Sequence, residues 1–279
     1  MARKKAPTGR DAFELYYSDI FGSRWPSLRQ ALLGDPRQTG WAEHLVEPYY
    51  LDTGSVAAAR ALPPGGKNVL DLCAAPGGKT LVLAGSLDAD GELTANEYSR
   101  ERRARLATVV ERYLPPETAA RVRITGYDGS RWSRFETLCR DRILLDVPCS
   151  SERHVLASEQ HLAAWSPARI RNLVFRQWAL LSGAWLVLAP DGYLVYATCA
   201  LSPEENDGVV RKLVKKYPDV SIIFPEADSH PDLAHHVPEK TDFGTMIMPD
   251  SSSGSGPLYF ALVKKTDSYA FSNPRFSPL

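Results

Sequence analysis

From residue 66 onward the sequence alternates between short apolar runs and helix-period segments, and that alternation limits the fold more than any other feature. The runs at 68–72, 92–96, 122–125, 143–146, 193–197, 220–224 and 257–263 read as buried strands. Helical segments lie between most of them. One covers 79–86, a charged one is capped by Ser99 and runs to Tyr113, and a long one covers 168–188. Ser202, Pro203 and Glu205 read as the N-cap, first turn and capping box of another. Strands alternating with helices make an α/β chain with a mostly parallel, doubly wound sheet covered on both faces. Seven strands are expected, the final one antiparallel, because only a loop, "PDSSSGSGP", precedes it.

Upstream, Phe13, Leu15, Tyr16, Ile20, Phe21, Trp25, Leu28 and Leu32 recur at mixed helical spacing. They predict a small helical extension over residues 1–45, with the first ten or so disordered. "LDTGSVAAARALPP" adds a short helix stopped by Pro63 and Pro64. The sheet domain then spans 46–265, and 266–279 is a tail.

The strand at 68–72 runs into "DLCAAPGGKT", a glycine loop feeding a helix. Two machines use such a loop. Gly78, Lys79 and Thr80 fit the end of a triphosphate loop, G-x-x-x-x-G-K-[ST], and "RILLDVP" resembles the strand bearing its magnesium-binding Asp. Against that, Cys73 stands where the first glycine belongs, and Pro76 removes a backbone donor from the phosphate nest. The other machine lets a nucleoside cofactor approach the backbone at the carboxyl end of strand 1. Glu97 closes strand 2 and can accept from ribose hydroxyls; Asp128 closes strand 3 and can accept from an adenine amine; Asp146 closes strand 4. Three carboxylates would repel a triphosphate but suit S-adenosylmethionine, whose sulfonium and ammonium are positive. The blander alternative is that strands end at the surface, where polar residues are common.

Four cysteines occur, at 73, 139, 149 and 199, with no C-x-x-C pair, so no structural zinc is expected. No export signal or membrane-length apolar run is visible, which points to a reducing cytoplasm and free thiols. "DVPCS" puts Cys149 just past strand 4, and "YATCALSPEEN" puts Cys199 just past strand 5. Both thiols then face one end of the pocket, whereas Cys139 reads as a small buried hydrophobe at a helix end. A thiol there has a chemical use. Carbon 5 of a pyrimidine is weakly nucleophilic until a thiolate adds to carbon 6, after which it behaves as an enamine. Asp146 is placed to bind the base near N3 and its amine.

"LDLCAAPGGKT", "DVPCSSERH" and "TCALSPEEN" together resemble the RNA cytosine-5 methyltransferases of the RsmB/Nol1/Nop/Sun family over roughly residues 45–265. "FELYYSDIFGSRWPSLRQALL", the Val-Pro-Cys variant and "GSGPLYFALVKK" look closest to the mitochondrial ribosomal-RNA branch. The resemblance implies a Rossmann-like fold and S-adenosylmethionine as cofactor, with Cys199 as nucleophile and Cys149 helping product release. It implies cofactor contacts from Cys73, Ala74, Ala75, Pro76, Gly77, Gly78 and Lys79, and from Glu97, Asp128 and Asp146. Glu97 stands where many members have Asp, which keeps the carboxylate. The implied substrate is RNA, ribosomal before transfer RNA. Many bacterial members carry an added RNA-binding domain with no counterpart here, so a protein partner for RNA targeting is a further expectation. A P-loop NTPase and a catalytically idle RNA-binding assembly factor are the alternatives.

With 33 basic and 33 acidic side chains the net charge is zero, so RNA phosphates must be met by local patches. The candidates are Arg3, Lys4, Lys5 and Arg10; Arg100, Arg102, Arg103 and Arg105; and Arg169, Arg171 and Arg176. Solvated helix faces are the bland reading of each group. "HPDLAHH" is expected to be a loop, not a metal site.

Overall fold

A computed structural model describes residues 8–225 and 230–266. Arg3, Lys4, Lys5, most of the N-terminal segment expected to be disordered and nearly all of the 266–279 tail lie outside the described residues. The expected strands form as β3 (Gly66–Asp71), β4 (Leu87–Asn96), β5 (Val122–Thr125), β6 (Arg140–Asp146), β7 (Leu188–Thr198), β8 (Val220–Ile223) and β11 (Leu258–Lys265). Three-residue strands β9 (Pro238–Lys240) and β10 (Thr245–Ile247) bring the sheet to nine, correcting the expected seven. Segments that short carry no readable period, which is why the sequence does not announce them.

The sheet order is β5-β4-β3-β6-β7-β11-β10-β9, with β8 also on β11. β3 to β7 are parallel; β11 runs antiparallel to β7, β8 and β10. Chain order therefore reverses between β3 and β6, the switch point where doubly wound sheets bind ligands.

Alternation along each central strand divides the apolar residues between two cores. Leu144, Val195 and Ala197 meet α3 (Thr53–Arg60), α4 (Gly78–Ala84) and α5 (Arg100–Tyr113). Ile143, Leu145, Leu194 and Tyr196 meet α9 (Pro167–Val187) and α10 (Asp207–Lys216) on the opposite face. Ser99 caps α5 as expected, its Oγ accepting from Arg102 N at 3.4 Å. The capping box at Ser202 does not form. α10 starts only at Asp207, because Glu205 turns inward to bond the backbone of another loop.

The N-terminal extension comprises α1 (Arg10–Phe21) and α2 (Trp25–Leu33), followed by a hairpin of β1 (Gln38–Trp41) and β2 (Tyr49–Asp52), which crosses the expected boundary at 45. Helix begins at Arg10, and Gly9 N donates to Trp165 O at 2.8 Å, so these two residues of the segment expected to be disordered are held in the fold. Phe13, Tyr17, Trp25, Leu28 and Leu32 belong to the same core as α9. Tyr17 stacks on Trp25 at 5.2 Å, and Phe13 meets Trp165 edge-on at 5.3 Å. Trp25→Ala should therefore cost the whole fold about 3–5 kcal/mol in chemical denaturation. A loss below about 1 kcal/mol, within the range of a surface substitution, would mean that the extension folds as a separate unit.

Candidate active site

At the switch point the chain leaves β3 between its two neighbours. Leu72 N donates to Leu144 O at 3.0 Å on one side, and Ala74 N donates to Asn96 O at 2.9 Å on the other. Asn96 fixes three strand ends at once. Its Nδ2 donates to Leu72 O and Tyr127 O, and its Oδ1 accepts from Tyr127 N and Thr125 Oγ1. Gly77 holds φ at +120°, and a Cβ there would come within 2.8 Å of Val109 on α5, so only glycine lets the helix pack against the loop. Arg102 donates to Ala75 O at 2.6 Å, tying α5 to the same loop.

A cavity of about 280 Å³ opens here, lined by Tyr49, Asp71, Cys73–Pro76, Gly78, Lys79 and Asp146. Gly77 is buried beneath it. Asp71 is fully buried. Thr80 Oγ1 donates to its Oδ2 at 2.7 Å, while Oδ1 has no partner. Burial pushes the Asp71 carboxyl up to about 7, with the Thr80 bond pulling the other way.

Glu97 directly follows β4. Its Oε1 accepts from Ser99 N at 2.8 Å, and its Oε2 lies 3.3 Å from Arg102. Asp128 does not close β5 but lies three residues beyond it. There it caps a 3-10 turn over Gly129–Arg134, accepting from Ser130 N and Oγ, with Arg131 at 3.5 Å. The strand ends at Thr125 as its apolar pattern suggests, and Tyr127 N then donates to Asn96 Oδ1, so two further residues separate the strand end from Asp128.

β6 and β7 pair with Asp146 opposite Ala197, and Val147 N extends the ladder to Ala197 O at 3.0 Å. The loops that follow carry the two cysteines side by side, with Cys149 Sγ 3.0 Å from Cys199 Sγ. Ser151 sits in the left-handed region at φ 54°, and this puts its hydroxyl 3.3 Å from Cys199 Sγ and 3.5 Å from Cys149 Sγ. A non-glycine residue held there is strained, a cost that recurs at functional sites. The hydrogen bond from Cys149 pulls the Cys199 thiol below its ordinary value against the effect of burial, and Ser151 helps. Cys149 is held well above its ordinary value by the same bond and by burial, so it keeps the proton.

Lys79 reaches over from α4, donating to Asp146 Oδ2 at 2.7 Å and Ser55 Oγ at 3.1 Å. Burial works against its charge, but Asp146 and neighbouring Cys199 and Asp71 hold its pKa above the ordinary value. Lys79, Asp146 and Ser55 line the glycine-loop cavity and also a second one of about 530 Å³, which contains Cys199, Ser151, His154 and Pro257. The two cavities share this wall.

Two buried carboxyls hold the cysteine loops together, each crossing to the other loop. Glu152, after Cys149, accepts from Leu201 N at 3.0 Å, and also from Ser150 Oγ and from Tyr17 of α1. Glu205, after Cys199, accepts from Ser150 N at 3.0 Å and from Gln177 of α9 at 2.8 Å. Burial, then Glu152, pushes Glu205 up to about 7.

A family model described as 16S rRNA methyltransferase RsmB/F matches residues 59–263. The chain belongs to that family. It is 33% identical over 253 residues to the bovine (Bos taurus) 5-cytosine rRNA methyltransferase NSUN4, covering 85% of this chain and 62% of that protein. A zebrafish (Danio rerio) mitochondrial tRNA (cytosine(34)-C(5))-methyltransferase is 33% identical over 235 residues, covering 81% and 62%. The chain thus spans less than two thirds of the length of these relatives. A solved methyltransferase homologue from Pyrococcus horikoshii shares the fold, with a TM-score of 0.69 at 20% identity, covering 89% of this chain and 93% of that one.

Membership of the RsmB/F family sets aside the triphosphate-loop reading, and the geometry agrees, since the Lys79 ammonium is engaged by a carboxylate. Of the expected residues, the structure brings Cys73–Lys79, Asp146, Cys149 and Cys199 to one end of the sheet; Glu97 stands beside them, and Asp128 is turned to its own backbone. Asp71, Ser151, Glu152 and Glu205 join the site without a sequence signal that marks them for it. Ser151 is visible only as part of "PCSSE", and the residues around Glu205 read as a helix cap. Arg102 and Arg103 are not free phosphate contacts: Arg103 donates to Glu97 O at 2.8 Å and Arg102 to the glycine loop. Arg10 pairs with Glu159 at 2.6 Å. Cys139 is exposed, correcting its expected burial, because it lies in the loop before β6 beside Glu136. The segment His230–His236 contains a 3-10 turn, and the described residues contain no cluster of three metal-ligating side chains.

The lowered Cys199 thiol should show in alkylation by iodoacetamide followed by peptide mass mapping. Cys199 should begin to react below the pH at which an ordinary thiol does, near 8.5. Cys149→Ala and Ser151→Ala should each move that onset upward, because each removes a donor to the thiolate. An onset unchanged in both variants would contradict the assigned hydrogen bonds.

Proposed function

We propose that the chain methylates carbon 5 of cytosine in RNA, ribosomal RNA first, using S-adenosylmethionine. One observation carries the proposal: Cys199 lines a cavity with Lys79 and Asp146, and those two residues also wall the glycine-loop cavity, so a nucleophilic thiol and a cofactor pocket meet at a shared boundary. The residues fit the cofactor. Asp71 carries an unpartnered buried carboxyl oxygen beside the glycine loop, a position suited to the cofactor's positive charge, and Glu97, held beside the loop by Ser99 N and Arg102, is the carboxylate assigned to the ribose hydroxyls. Cys73–Lys79 would form the floor. When bound, S-adenosylmethionine supplies the methyl group as an electrophile.

The chain's own residues do the rest. Asp146 gives Oδ2 to Lys79 and keeps Oδ1 for the amine and protonated N3 of cytosine. The Cys199 thiolate adds to carbon 6; a C–S bond forms, and the carbon 5–carbon 6 π pair moves onto carbon 5. Once carbon 5 is methylated, its proton passes to solvent water, the freed C–H pair restores the carbon 5–carbon 6 double bond, and the C–S pair returns to sulfur. Cys149, protonated and 3.0 Å away, stabilises the departing thiolate by donating to it. Catalysis thus needs one thiol ionised and one neutral, the polarity set by the hydrogen bonds described above.

Isothermal titration should detect S-adenosylmethionine binding and no magnesium-dependent ATP binding. Glu97→Ala should weaken cofactor binding about 10- to 100-fold, the loss of charge-assisted hydrogen bonds worth roughly 1.5–3 kcal/mol. Cys199→Ala should bind the cofactor normally yet yield no 5-methylcytosine by nucleoside mass spectrometry. ATP binding without S-adenosylmethionine binding, or methylation by Cys199→Ala, would sink the proposal.

A further inference from the structure

The paired thiols form a wall with a cavity on each side. Cys199 faces the cavity that holds Lys79 and Asp146, whereas Cys149 faces a separate open groove of about 520 Å³. Its other walls are Pro148, Ser166, Ala168 and one stripe of α9, namely Arg169, Asn172, Leu173 and Arg176. These four fall at i, i+3, i+4 and i+7, so they share one helix face. Arg169 and Arg176 are exposed and form no ion pair among the described residues, and no acidic side chain lines the groove. Arg102 and Arg103, by contrast, are spent on local bonds. In a chain of zero net charge, an uncompensated pair of guanidinium groups next to the site is a local anion-binding surface.

We infer that this groove holds the sugar–phosphate backbone of the single-stranded RNA adjoining the target cytosine, with Arg169 and Arg176 on successive phosphates. The inference rests on the proposal that RNA is the substrate. Two features favour this occupant. The groove starts at Cys149, whose sulfur touches Cys199, so a base lodged at Cys199 has its neighbouring nucleotide within reach. The two arginines lie seven positions apart, about 10 Å along α9, so their long side chains can converge on successive phosphates of one strand. Arginine is the residue best matched to phosphate in a fork geometry, and Asn172 between them adds a donor and an acceptor for sugar or base edge. An acidic protein segment is the competing occupant.

The test uses the full chain and a fluorescein-labelled twelve-nucleotide oligocytidylate, with affinity measured by anisotropy across a salt series. Arg169→Gln with Arg176→Gln should weaken binding at least tenfold and make the log affinity–log salt slope shallower by about 1.4, near 0.7 per lost phosphate contact on a single strand. Arg171→Gln is the control: the same type of substitution at a single position on the same helix, outside the groove, expected to alter affinity less than twofold. Losses in the double variant no greater than in Arg171→Gln would overturn the inference and leave the groove to a protein. The catalytic proposal fails separately. If the double variant loses RNA while the unaltered chain makes no 5-methylcytosine, the groove stands and the methylation reading falls. If the unaltered chain methylates and the double variant binds and methylates as Arg171→Gln does, only the groove falls.

Discussion

Two buried carboxyls that cross between neighbouring loops hold the site in register. Glu152 leaves the Cys149 loop to accept from Leu201 N, and Glu205 leaves the Cys199 loop to accept from Ser150 N. Residues 147–151 and 199–206 lie outside helix and strand, and a loop's backbone donors must be satisfied if it is to stay buried. The exchange satisfies them and fixes the Sγ–Sγ distance at 3.0 Å. It has an electrostatic consequence as well. Burial first, and the neighbouring Glu152 second, push Glu205 up to about 7, since two carboxyls in one low-dielectric region cannot both ionise cheaply. A proton held on that pair limits the negative charge near Cys199, which would otherwise oppose its thiolate.

The rest of the molecule supports this crossing. Tyr17 of α1 donates to Glu152, so the N-terminal helices act as a buttress behind the Cys149 loop. Gln177 of α9 bonds both Glu205 and Pro148 O. Arg153, one residue past Glu152, donates to carbonyls of Leu32 and Gly34 at the end of α2 and of Gly254 and Gly256 near the Cys199 cavity. A cation at a helix carboxyl end also complements its dipole. Asp52 then anchors the same turn, accepting from Ser255 Oγ and Gly256 N while capping α3. Extension, hairpin and late loop thus converge on the two thiols.

Much of this was legible in the sequence, for local reasons. The strand–helix alternation follows from apolar period, and strand ends place the glycine loop, Asp146, Cys149 and Cys199 together once the sheet is doubly wound. What was hidden depends on partners far along the chain. Glu152 bonds Tyr17 across 135 residues and Leu201 across 49, and nothing near "SSERH" signals either. Glu205 has a local pattern that points elsewhere: S-x-x-E is a capping box by rule, but the buried Ser150 N offers a bond that water cannot replace, and α10 starts at Asp207 instead. Arg102 and Arg103 look like a solvated basic run, yet tertiary carbonyls claim them. β10 is visible only as a partner of β11, and β9 only as a partner of β10, not as patterns.

The central claim is that the two adjacent thiols have unequal roles, Cys199 forming the bond to the base and Cys149 promoting its release. The most direct measurement is a denaturing gel of protein mixed with S-adenosylmethionine and labelled RNA transcribed from the small-subunit ribosomal sequence. Cys149→Ala should accumulate a denaturant-resistant protein–RNA band, because the departing Cys199 sulfur has lost its donor. Cys199→Ala should give none. A band in Cys199→Ala that is absent from Cys149→Ala would contradict the assignment and exchange the two roles.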